Sequence, residues 1–196
     1  MKKIQAWHFI HNRTLRFTHN DKENVRIRKG QTLHVEPPLE MCSHGLHASI
    51  NPLDALRYYN NGDPITVCRV ELWGTMIKGD DKICAEFRKV LWHADCTNTL
   101  HLFACWCAEE TLKLVDKPDP RSVAAIEVKR KWVDGKATDD ELAAAGAAAW
   151  AAARDAAWDA AWAAARATAW DTASDAQNHQ LIHMLKELST RKGVNS

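Results

Sequence analysis

The 196-residue sequence has no apolar run approaching the roughly 20 residues that a bilayer requires. Its opening, MKKIQAWHFIHN, carries two lysines but lacks the long apolar segment of a secretion signal. The expectation is therefore a cytoplasmic protein with no membrane among its partners. A strong excess of one charge is also missing. The net charge is +1, divided as +4 over residues 1–92 and −3 over residues 93–196. Nonspecific nucleic-acid binding needs a clustered basic face and a DNA mimic needs a heavily acidic one, so neither is indicated. Walker loops, dinucleotide fingerprints and nucleophile motifs are absent too.

Adjacent cysteine pairs of the zinc-ribbon kind are likewise missing. The one close pair is Cys105 and Cys107, inside a helical pattern. At 100° per residue their side chains diverge by about 200° and cannot share a metal. Without a secretion signal, all six cysteines are expected to be reduced, serving mostly as small buried hydrophobes.

What is present falls into two halves of different grammar. Up to about residue 92 the chain is β-rich with one helix. KIQAWHFI, TLRF, NVRIRKG, QTLHVE and ITVCRVELWG are short, partly alternating runs separated by Asn, Asp and Gly turns. Asn51 followed by Pro52 predicts a helix start, and NNGDP at 60–64 predicts its end. From residue 93 the pattern is helical throughout. TNTLHLFACWCAEETLKLV puts Leu100, Phe103, Ala104, Cys107, Thr111 and Leu114 at helical spacing. Asp119 and Pro120 open the next helix, and Thr138 with Glu141 forms a capping box for the one after it. The expected fold is an α+β domain over 1–92 followed by an alanine/tryptophan-rich all-α domain over 93–196.

The last helical stretch carries an internal tetrad repeat. Trp150, Arg154, Trp158, Trp162, Arg166 and Trp170 mark every fourth residue, and 20 of residues 143–176 are alanine. An unbroken helix to about residue 188 would be roughly 75 Å long. Four residues turn the chain through about 400°, so the indoles spiral around the axis and Trp150 and Trp170 face different neighbours. A bend or hairpin near 154–159 or 166–174 is expected, with the indoles filling gaps between close-packed alanine helices.

Two resemblances attach to these halves. AWHF at 6–9, HGLHAS at 44–49, PLDALRY at 52–58, VCRVELWG at 67–74 and GDDK at 79–82 resemble a phage and prophage protein family of unassigned activity. Residues 107–157 resemble all-helical immunity proteins encoded near bacterial toxin and mobile-element genes. The shared features are Cys-Ala-Glu, Asp-Pro-Arg, an Ala-Ile-Glu helix ending in Trp-X-X-Gly, and an alanine-rich helix. Together they imply a phage accessory protein that binds a protein of the bacterial host and inhibits a defence or another host enzyme. Self-association through the Ala/Trp helix, as in a phage structural component, is a further alternative.

The run SHGLHAS, followed by a short helix and a strand ending in Glu-Leu-Trp-Gly, is similar to ADP-ribosyltransferases. That similarity implies NAD as cofactor. His8 would hold the nicotinamide ribose, His47 or Ser49 would follow, and Glu71 or Glu86 would polarise the ribose hydroxyl, with His44 and Arg88 completing the cofactor site. The first strand lacks the His-Gly pair of that pattern. Cys42, His44 and His47 are spaced like the start of a zinc site, but no further ligand follows at finger spacing. Under the leading, protein-binding reading there is no cofactor and no metal.

Overall fold

The structure, a computed structural model, describes residues 2–16, 24–160 and 167–190, with backbone alone at 15–16, 24–25, 154–160 and 167–173. The chain divides into two compact units, Met1–Thr97 with Asn178–Ser196, and Asn98–Gln177.

The first unit is an antiparallel sheet. Its strands are β1 (Ile4–His11), β2 (Thr14–Arg16), β3 (Asn24–Arg26), β4 (Thr32–His34), β5 (Leu46–Ala48), β6 (Ile65–Lys78) and β7 (Ile83–Asp95), with helix α1 (Pro52–Arg57) after β5. The order is β3-β2-β1-β6-β7-β4, and β5 pairs with β7 beside β4. Beyond β5, Ser49 pairs with Trp7 of β1 through reciprocal backbone bonds of 2.7 and 3.0 Å. The path β1–β6–β7–β5 therefore returns to β1. Successive side chains alternate between faces, so Ala6 and Ile10 join Cys68, Val70 and Leu72 in one core. Trp7 and Phe9 are buried on the opposite face of the same strand. Burial on both sides explains why β1 reads as an almost continuous apolar run.

Strand β7 has no counterpart among the runs picked out from the sequence, yet it is the hub that pairs with β4, β5 and β6. Two features hide it. Charged Glu86, Arg88 and Lys89 interrupt its apolar pattern. A register shift opposite Arg69 and Val70 also leaves Leu91 as an extra residue, which breaks the period of two. A second shift, between Trp73 and Met76, brackets Gly74 at φ 85°, where a Cβ would lie 2.8 Å from Glu86 and Phe87.

The helices are α2 (Thr97–Leu112), α3 (Pro120–Val133), α4 (Asp139–Ala160) and α5 (Ala167–Thr190). Their starts follow the sequence signals. The Asp119 side chain accepts from Arg121 N–H at 2.8 Å, while Thr138 and Glu141 exchange the two capping-box bonds at 2.8 and 3.2 Å. In α2 the buried positions are Phe103 and Cys105, whereas Ala104 is exposed and Leu114, beyond the helix end, is 82 % exposed. The expected apolar face is thus displaced. The partition also differs from a division at 92/93, because α5 crosses from one unit to the other. From Asn178 onward it groups with the sheet, and its Leu181 and Leu185 are fully buried.

The indole comb is not a uniform core stripe. Trp150 is 72 % exposed, while Ala152, two residues on and about 200° around the helix, is buried. Trp158, Trp162 and Trp170 lie outside the described side chains. Of the two expected break points, 154–159 lies inside the continuous helix α4 and all of 166–174 but its first residue lies inside α5, while residues 161–166 lie outside the described residues.

Candidate functional site

In the first unit, one pocket of about 360 Å³ gathers residues from four separate stretches of chain. Strand β1 supplies Trp7 and His8. The turn and strand around β5 supply Cys42, His47, Ala48 and Ser49, α1 and the residue that caps its C-terminus supply Ala55 and Tyr58, and the β6–β7 turn supplies Lys82. These stretches coincide with AWHF, HGLHAS, PLDALRY and GDDK, so motifs scattered over 80 residues have a common place in the fold.

The turn before β5 is locked by its own side chains. His47 Nε2 accepts from Cys42 N–H at 3.1 Å, and the Gly45 backbone beside the ring favours its charged form. Gly45 has φ 142°, and a Cβ there would overlap Cys84 Sγ. Burial, then Lys82 and Arg88, keep His47 below the usual histidine range, against the opposing Gly45 backbone. The Nε2 of His47 is therefore committed to backbone.

Arg88 lies beneath this turn, 4 % exposed, with Nη1 donating to His47 O at 2.6 Å. No carboxylate pairs with it among the described residues, and burial lowers its guanidinium to about 10, a shift that neighbouring Cys68 opposes. Cys68 is itself pushed up to about 12 by burial. His8 is held well below the ordinary histidine range, first by burial and then by Arg88 and His47, so its imidazole is neutral near pH 7. At the mouth, Lys82 Nζ donates to Cys42 Sγ at 2.8 Å and lies 4.1 Å from the Tyr58 ring centroid. The Tyr58 hydroxyl donates to Asp81 at 2.5 Å.

Three residues of the NAD-using reading, His8, His47 and Ser49, meet in this pocket. Arg88 lies directly behind it. The remaining ones do not join them. Glu71 pairs with Lys3 at 2.7 Å, and Glu86 accepts from Thr75 N–H at 2.9 Å with His34 3.5 Å away. His44 Nε2 is 2.8 Å from Glu36 O. No glutamate stands among the described residues lining the pocket, so the carboxylate that polarises a ribose hydroxyl is missing from this arrangement. The zinc arrangement fails on the same geometry. His47 Nε2 is spent on backbone, Cys42 is engaged by Lys82, and no group of three metal-ligating side chains forms among the described residues. Tyr58 and Lys82 were not singled out from the sequence, although both lie in the quoted motifs.

Comparison with known families follows the same two-part division. Residues 13–102 match a domain of unknown function, DUF7666. Residues 92–185 match the family described as Imm-5 like putative immunity protein. The DUF7666 match takes in every pocket residue except Trp7 and His8, and the Imm-5 like match takes in α2, α3, α4 and most of α5. No curated protein and no solved structure matches the chain. Among the described residues, no helix is long and apolar enough to cross a membrane.

Proposed function

We propose that the chain is an accessory protein of the immunity type, encoded by a phage or prophage, that works in the cytoplasm by binding a protein of the bacterial host. The Imm-5 like match supports the class. The observation that carries the mode of action is Trp150. A large indole left 72 % exposed on an alanine-rich helix is the kind of side chain that anchors protein interfaces, where tryptophan is over-represented among the residues that dominate binding energy. Val123, also in the second unit, is exposed as well, at 40 %.

The test is affinity purification of the tagged full-length protein from its bacterial host, beside Trp150→Ala. The substitution is at an exposed helix position and suits a helix, so circular dichroism should be unchanged. Recovery of a stoichiometric host protein with the wild type and its loss with Trp150→Ala is the expected result. Failure to recover any partner, or equal recovery by the variant, would overturn the reading. A partner that proves to be the chain itself would move the assignment to a self-assembling component.

A further inference from the structure

The pocket holds more hydrogen-bonding capacity than the protein uses. Ser49 is 1 % exposed and lines it, yet its hydroxyl has no partner among the described residues. The half-buried His8 ring lines it as well and makes no hydrogen bond among the described residues. Neither group is sealed off from the cavity, so both are free to bond a molecule that enters it. A serine hydroxyl and a neutral imidazole each offer one donor and one acceptor. Together they suit the edge of a heteroaromatic ring or an amide.

The charge around the cavity has a definite sign. Lys82 brings an ammonium to the wall, and the Arg88 guanidinium lies behind the turn without a carboxylate. The nearby acid, Asp81, already accepts from Tyr58. Ala48 and Ala55 are small and apolar, and Tyr58 adds a flat ring held by that bond, which leaves room for a planar body. A volume of about 360 Å³ falls within the range of small-molecule sites.

We propose that this pocket binds a heteroaromatic ring bearing an anionic group, of mononucleotide size, with the ring edge at His8 and Ser49 and the anion at Lys82. The site lies wholly within the first unit and stands or falls separately from protein binding by the helices.

The test is calorimetric titration of the full-length protein with AMP, GMP, CMP and UMP, each beside its uncharged nucleoside, and with inorganic phosphate alone. At least one monophosphate should bind, and its nucleoside should bind about tenfold or more weakly, as should the same monophosphate to Lys82→Met. Ser49→Ala, a small change that retains the fold, should weaken binding as well. Bound ligand should also slow alkylation of Cys42, which opens on the same cavity. The proposal is overturned if none of the four monophosphates binds, if nucleoside and monophosphate bind alike, if phosphate alone binds as tightly, or if Lys82→Met leaves affinity unchanged.

Discussion

Asn178 of α5 accepts a hydrogen bond from the backbone N–H of Leu53 through its side-chain oxygen, at 3.2 Å and across 125 positions of sequence. Helix α1 does not cap itself. The Asn51 side chain, at the N-cap position, bonds Asp54 at 3.1 Å and makes no capping bond to backbone. The open amide of the first turn is satisfied from the far end of the chain instead. Because α1 carries Ala55 and Tyr58 to the pocket, this bond ties α5 to the pocket wall.

Asn178→Ala should therefore cost about 1 kcal/mol in chemical denaturation, the usual consequence of losing an N-cap acceptor. Asn178→Asp retains the acceptor and should stay close to the wild type. A midpoint unchanged in Asn178→Ala would mean that the Leu53 amide finds an equivalent partner, and α1 would then be independent of α5.

Gly45 is expected to be intolerant of any side chain. Its φ of 142° disfavours an L-residue, and an added Cβ would run into Cys84 Sγ, which donates to His44 O at 3.4 Å. Gly45→Ala should lose about 2–3 kcal/mol through strain and overpacking. Adding Cys84→Ala removes the obstacle but not the backbone strain, so the double variant should recover part of that loss. Full additivity of the two changes would argue against the contact.

Much of the fold was legible in the sequence because its signals are local. Proline in the first turn of α1 and α3, the Asp119 cap of α3 and the Thr138–Glu141 box at α4 depend on a few consecutive residues, and each helix starts where these signals stand. What stayed hidden depends on distant partners. Strand β7 draws its place from three neighbours and carries a buried arginine that no local pattern accounts for. The pocket was half legible. His8, His47 and Ser49 stood out as polar residues in quoted motifs, but the commitment of His47 to its own turn needs coordinates to see. The separation of Glu71 and Glu86 from the pocket follows from where the register of β6 and β7 places them.

One thiol should react long before the others. Cys42 is exposed, whereas Cys68, Cys84, Cys96 and Cys105 are buried, and burial also pushes each of these four thiols up, as it does the half-buried Cys107. Native protein mixed with iodoacetamide near pH 8 should take up one equivalent rapidly and the rest only on unfolding. Mass spectrometry should place that label on Cys42, and Cys42→Ser should abolish the fast phase. A fast label on any other cysteine would contradict the burial just described.

Acid should weaken the fold from just below pH 6.5, and His8 beside the buried Arg88 shows why. His8 is lowered in the folded protein by burial, by Arg88 and by His47, while in the unfolded chain it returns to about 6.5. Between those two values the unfolded state binds more protons, so stability rises with pH across that window and is lost as pH falls through it, at up to about 1.4 kcal/mol per pH unit for one group. His93, lowered by burial and then by Arg13 and Arg26, adds in the same direction. Denaturation midpoints should therefore fall between pH 7.5 and 5, and fall less in His8→Asn. Arg88→Met removes a cation beside His8 but keeps its burial. By NMR titration His8 should then move part of the way back toward its ordinary value, and the acid loss should shrink accordingly. An unmoved His8 resonance in that variant would mean that burial alone sets its protonation.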